Sequence, residues 1–157
     1  MAEVYFYHLT RSPGLRTLCA LLTRSLDQGW RVAVRGPDRD RLAELDEALW
    51  QGGADEFLPH GIEGGRHDAR QPILLCQGAV ATGTDALIAV DGAEVTADEV
   101  PALRRASILF DGTDGAALAR ARDQWRALTA SGLPARYWSE EGGKWQEKAS
   151  KNLPDPD

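Results

Sequence analysis

The chemistry most clearly written into this 157-residue chain is basic and aromatic. Residues 117–128 read ALARARDQWRAL, with Arg120, Arg122, Arg126 and Trp125 beside a single acid, Asp123, in a chain whose formal net charge is −6. Guanidinium groups form charge-assisted, often bidentate hydrogen bonds to carboxylates, and an indole adds an apolar face beside them. Such a patch on an acidic protein points to an acidic peptide as its ligand. At ~100° per residue, Leu118, Ala121, Trp125 and Leu128 form an apolar helix stripe that faces a core. Arg122 and Arg126 fall on one flank of it, next to Leu118 and Trp125, while Arg120 points well away. A core tryptophan with a solvated arginine face fits the same pattern, and spacing alone leaves both readings open.

Constellations for catalysis or cofactors are missing from the pattern. The turn after the first strand reads TRSPG, with neither GxGxxG nor GxxxxGK to cradle a pyrophosphate at a helix start. His8, His60 and His67 are scattered, and the pair His67 and Asp68 lacks a third ligand, so no metal and no cofactor is expected. No serine sits in GxSxG. Cys19 and Cys76 lie in apolar patterns without a CxxC, which reads as buried thiols in a reducing cytosol. The chain is therefore expected to be non-catalytic.

Length and patterning say what positions the patch. With 43% hydrophobic residues, the chain suits one domain burying ~70% of its unfolded surface. VYFYHL (4–9) alternates as a strand, Ser12 and Pro13 signal a helix start, and Leu15, Leu18, Cys19, Leu22 and Leu26 form that helix's stripe before a left-handed stop at Gly29. WRVAVR (30–35) is a second strand; after the turn at Gly36 and Pro37, Asp38 caps a helix buried through Leu42, Leu45 and Leu49. Further short strands are expected at 56–59, 73–76, 86–90, 107–110 and 135–138. The run at 61–72 lacks an apolar period and reads as a mobile loop. The polar, proline-bearing end, 146–157, is expected to be a flexible tail to a domain spanning 1–145.

Alternating strands and helices imply a single-domain α/β, Rossmann-like fold: a mainly parallel mixed sheet flanked by helices, without a nucleotide-binding loop. No apolar run approaches the ~18 residues of a membrane span, and the first strand begins at once, so a soluble, untargeted, cytoplasmic protein is expected. Its acidic balance lacks the positive field of a duplex binder, so any nucleic acid is expected to be reached through a partner. A second aromatic group closes the helix ending DEALW. Trp50 lies on the order of 110° from the centre of the Leu42/Leu45/Leu49 stripe, and Phe57 follows in ADEFLPH. The two are either an exposed anchor pair for a partner or a cover folded over the sheet edge.

VYFYHL, DEALW followed closely by FLPH, the strand ILLC, the segment ARDQWRAL with a glycine after it, and the late GGKWQEK together resemble the chi subunit of bacterial DNA polymerase III, from Val4 to about Trp145. The resemblance implies a Rossmann-like fold without nucleotide chemistry, in an adaptor between the clamp loader and the single-stranded-DNA-binding protein, SSB, during DNA replication. The SSB tail is acidic and ends in Pro-Phe with a free carboxylate. By resemblance, Arg122 and Arg126 take the tail's carboxylates and Trp125 lines the pocket for its terminal phenylalanine. Leu118 stands where some relatives carry a basic residue, making the site less charged. Trp50 and Phe57 correspond to the surface that holds psi, the small clamp-loader subunit. A monomer alone, joined to these partners in a complex at the nucleoid, is implied. Two other classes remain at this level: a module binding single-stranded DNA directly through Trp125 and the arginines, and a nucleotide-dependent enzyme on a Rossmann-like fold.

Overall fold

Alternation in the first strand and 3.6-residue periodicity in the helices carry through to β1 (Glu3–Leu9), α1 (Gly14–Asp27), β2 (Val32–Arg35), α2 (Arg39–Trp50), β3 (His60–Ile62), β4 (Ile73–Cys76), β5 (Ala86–Ala89), β6 (Arg105–Asp111), α3 (Gly115–Ala130), β7 (Ala135–Glu141) and β8 (Lys144–Lys151). The computed structural model describes residues 2–10, 14–51, 58–65, 68–141 and 144–153. Ser12 and Pro13, read as the helix start, lie outside them. α1 stops at Gly29, whose φ of 77° lets the Trp30 N–H reach back to the Ser25 carbonyl at 3.0 Å. α2 starts where the Asp38 carboxylate accepts the Arg41 N–H at 2.8 Å.

The eight strands form one sheet in the order β3-β4-β2-β5-β6-β1-β7-β8, parallel except for the antiparallel β7–β8 pair. This is the α/β, Rossmann-like architecture that the alternation predicts. The connections β1–α1–β2 and β2–α2–β3 run one way along the sheet and β6–α3–β7 runs the other. Right-handed crossovers then put α1 and α2 on one face and α3 on the opposite one. The packing agrees. Leu18, Leu22, Leu42, Leu45 and Leu49 join Val34, Ile88 and Leu109, whereas Ala121 and Leu128 join Val4, Phe6 and Ile108.

Beyond β6 the α3 face is covered by the segment 91–104, through Val95, Val100 and Leu103, rather than by a helix. Arg35, at the end of β2, holds that segment in place. Its guanidinium donates to both Glu99 carboxylate oxygens at 2.8 Å, to the Glu94 carbonyl at 2.9 Å and to the Gly78 carbonyl at 2.8 Å. A fork clamped on four oxygens in a nearly buried site turns a chain segment into a wall of the core.

Three expectations need correction. Of the strand expected at 56–59, residues 56 and 57 lie outside the described residues and 58 and 59 are not in a strand; the third strand described is His60–Ile62, taking in the start of the segment read as a loop. Pro59 has no N–H to give to a ladder, so pairing begins after it, with His60 opposite Ile73. Residues 146–151, whose polarity reads as the start of a tail, belong to the edge strand β8, Lys144–Lys151. An edge strand needs no apolar face; the β7 ladder holds it, with ion pairs of 2.8 Å from Arg136 to Glu147 and from Lys148 to Glu141. Residues 154–157 lie outside the described residues. Leu15, placed in the α1 stripe by its spacing, is exposed, because the first turn of α1 overhangs a crevice at the strand ends.

Glu99→Ala strands a nearly buried guanidinium and is expected to lower stability by about 2–3 kcal/mol in urea denaturation at neutral pH. The hydrogen bond from Arg35 lowers the Glu99 pKa. The pair's contribution is therefore present above the ordinary glutamate range and lost as pH falls through the lowered native value. The gap between wild type and variant should close in acid.

Candidate functional site

α3 begins at Asp114, whose carboxylate accepts the Ala116 N–H at 3.0 Å, and crosses β1 on its way from β6 to β7. Ala121 and Leu128 are buried beneath it, and Leu118 and Trp125 are half-buried against the same cluster. The Trp125 ring meets Phe6 edge-on, with centroids 5.3 Å apart, and Tyr137 at 5.9 Å. Tyr137 stacks on Phe6 at 6.2 Å and shares a 2.8 Å hydrogen bond between its hydroxyl and His8 Nδ1. Phe110 lies beside both His8 and Tyr137.

This cluster follows from strand geometry. Alternation along β1 puts Val4, Phe6 and His8 on the α3 face. The parallel ladders then set Tyr137 next to Phe6, and Phe110 next to His8. Gly112 is required for the close fit, since a Cβ there would overlap the His8 imidazole.

On this aromatic floor stand the two arginines of the helix flank, both exposed. Arg126 makes a long, solvated contact of 3.5 Å with Asp123, which contributes little. Arg122 makes no ion pair among the described residues. Its charge reaches the cluster: burial lowers the His8 pKa and Arg122 lowers it further against the pull of Asp111, while at Tyr137 burial raises the pKa and Arg122 opposes it. The structure thus sets Leu118, Arg122, Trp125 and Arg126 along one side of α3, with both arginines exposed beside a packed aromatic cluster. His8, Tyr137 and Phe110 complete it, and spacing within α3 gives no sign of them. The one available signal was that His8 shares its strand face with Phe6.

Arg120 serves a different place. It lies against Gly92 in a cavity of about 610 Å³ at the C-terminal ends of β1, β5 and β6, the crevice where doubly wound folds hold ligands. Carboxylates engage several donors there. Arg41 is bound by Asp91 at 2.7 Å and Glu44 at 3.0 Å, Asp111 accepts the Thr113 N–H at 2.9 Å, and Asp114 caps α3.

Trp50 ends α2 on the face opposite α3, 55% exposed, its ring stacked on His60 with centroids 4.3 Å apart. His60 is in turn held between the Leu58 carbonyl at 2.6 Å and the Asp46 carbonyl at 3.1 Å. Trp50 therefore faces outward on a fixed support. Phe57 lies outside the described residues, as does His67. Among the described residues, no group of three or more His, Cys, Asp or Glu is placed to hold a metal, and no helix is long and apolar enough to cross a membrane. Burial pushes the Cys76 thiol up to about 11, with Arg35 opposing, which keeps it protonated.

The His8 imidazole should titrate below its ordinary value of ~6.5 in proton NMR, and Arg122→Ala should move its midpoint upward. A lowered native pKa means that the unfolded chain binds more protons. This contribution to stability is present above the ordinary value and is lost as pH falls through the native one. Gly112→Ala should break the link between His8 and Tyr137, bringing the His8 midpoint closer to that of a free imidazole.

The family model described as DNA polymerase III chi subunit, HolC, matches residues 1–136. The DNA polymerase III subunit chi of Pseudomonas aeruginosa is 31% identical over 78 residues, covering 48% of this chain and 54% of that relative. The chain thus spans about half the length of the curated relative it matches. The family match takes in every element from β1 through α3, including the helix that carries Arg122 and Trp125. The chain belongs to the DNA polymerase III chi subunit family.

Proposed function

We propose that this chain is a non-catalytic accessory subunit of the replicative polymerase, an adaptor that joins the acidic C-terminal tail of SSB to the clamp loader. The observation that carries the reading is Arg122, exposed and without a carboxylate partner among the described residues, beside the Trp125–Phe6–Tyr137 cluster, where its charge acts on His8 and Tyr137. An acidic tail ending in phenylalanine presents complementary groups in the right order. Its carboxylates meet Arg122 and Arg126, and its terminal ring meets Trp125, with Leu118 as an apolar wall. Each charge-assisted hydrogen bond contributes about 1.5–3 kcal/mol and burial of a phenylalanine about 2 kcal/mol. After ordering costs, that supports a micromolar complex. Solvated ion pairs alone would not, so the aromatic cluster sets the affinity.

Trp50, with Phe57, is proposed to take psi or its equivalent in the clamp loader. Since α2 and α3 lie on opposite faces of the sheet, one subunit can hold both partners at once. The α3 rim then reaches nucleic acid through SSB, and the chain is a monomer outside its complex.

Calorimetric titration with intact and tail-less SSB tests the adaptor. Binding is expected for intact SSB alone, weakening as salt rises, and at least tenfold weaker, about 1.4 kcal/mol, with Arg122→Ala or with a tail lacking its last phenylalanine. Equal binding of tail-less SSB would refute it. Trp50→Ala should weaken capture of psi by a similar factor in a pull-down with purified subunits, and unchanged capture would move the second contact elsewhere.

A further inference from the structure

Across the sheet from the α3 rim, a cleft of about 680 Å³ runs between α1 and the strands β1, β7 and β8. It exists because α1 heads over β6 toward β2, leaving the neighbouring part of this face without a helix. Its floor is aromatic. Tyr5 and Tyr7 are the β1 residues that alternate with Phe6. Trp145 of β8 meets Tyr7 edge-on with centroids 5.5 Å apart, and Trp30 closes the far end.

The walls are basic. The Arg105 guanidinium lies over the Tyr5 ring at 4.3 Å and 5.4 Å from the Trp30 centroid, so its plane is held by rings while its N–H edge stays free. Arg24 projects from α1, and its charge and that of Arg105 both act on the Tyr7 hydroxyl, whose pKa burial pushes up to about 12. Arg16 lines the same cleft. None of these three arginines forms an ion pair among the described residues. The nearby acids are engaged: Glu140 accepts the Thr10 N–H at 3.3 Å, and Glu3 accepts the Tyr5 hydroxyl at 3.1 Å and pairs with Arg136 at 3.8 Å. The cleft is thus a cationic spot on a chain of net charge −6.

We propose that this cleft binds a short stretch of single-stranded nucleic acid, with Arg24 and Arg105 on a backbone phosphate and the exposed faces of Trp30 and Trp145 against bases. A phosphodiester strand alternates negative charge with flat rings, and the cleft alternates guanidiniums with aromatic faces; an acidic peptide without aromatic side chains would use the arginines and leave the rings without counterparts. The volume lies within the range of small-ligand sites, enough for nucleotide-sized groups. β8 and Trp145 fall beyond the residues matched by the family model. The inference does not depend on the α3 reading, because the two surfaces lie on opposite faces.

Fluorescence anisotropy of a short labelled oligothymidylate with the full chain at low ionic strength tests it. Saturable binding is expected, with quenching of tryptophan emission. A log–log salt slope no steeper than about −2 is expected for up to three arginines on phosphates. Arg24→Glu, at an exposed helix position, should weaken binding more than tenfold, and Arg105→Gln should do the same with the fold verified by circular dichroism. Excess SSB tail peptide should leave the complex intact. Absence of saturable binding, unchanged affinity in Arg24→Glu, or displacement by the tail peptide would overturn the proposal. Displacement by an oligoglutamate as effective as by unlabelled oligothymidylate would overturn it too, making the cleft a peptide site.

Discussion

The position of β1 between β6 and β7 is the constraint on which the rest of the structure depends. Because β6 and β7 both run parallel to β1, the chain must return over β1 to pass from one to the other, and a right-handed return puts α3 across the face that carries Val4, Phe6 and His8. Trp125 is then seated on Phe6, and β7 brings Tyr137 up on the other side. The cluster is therefore not attached to the fold as a loop would be. Its floor is the central strand, its roof is a helix whose stripe is anchored by Ala121 and Leu128, and its cations ride on that helix's flank. Preorganisation of this kind removes the ordering cost that the protein itself would otherwise meet on binding a ligand there.

The same topology separates three surfaces. The crevice at the strand ends, where doubly wound folds hold nucleotides, carries Asp111, Asp114 and the Arg41–Asp91 pair beside Arg120. The α3 rim offers Arg122 and Arg126 beside rings. The opposite face offers Arg24 and Arg105 beside other rings. On a chain with net charge −6, two groups of arginines thus stand where an aromatic face can add to them. Electrostatics can attract an anionic partner, and the rings decide which one stays.

What was legible in the sequence was what is local. The stripe of Leu118, Ala121, Trp125 and Leu128 follows from helical periodicity, as do the flanking places of Arg122 and Arg126, the separation of Arg120 and the outward turn of Trp50. Asp38 and Gly29 act within a few residues of themselves, so their cap and stop were readable too. The alternation of elements was enough for the fold class. Of the two readings of Trp125, the structure shows the core one only: its ring packs on the core cluster while the arginines next to it are solvated, and its use as a ligand site remains the proposal. What escaped depends on pairing between distant segments. Nothing in YHL announces that His8 will bond a tyrosine 129 positions away, because the β1–β7 register that brings them together is not encoded in either strand alone. β8 escaped because hydrogen bonds and cross-strand ion pairs can hold a polar edge strand without the apolar face that marks buried strands. The displaced β3 shows the opposite error, an apolar run read as a strand although its proline cannot join a ladder.

The most direct measurement of the central claim is a nitrogen-15 spectrum of the full chain titrated with an unlabelled SSB tail peptide, read at its five tryptophan indoles and its backbone amides. The expected result is that the Trp125 indole and the amides around Arg122, His8 and Tyr137 move together and saturate, while Trp30, Trp50 and Trp145 stay in place. Perturbations centred on Trp50 or Trp145 with Trp125 unmoved, or a spectrum that does not change, would contradict it.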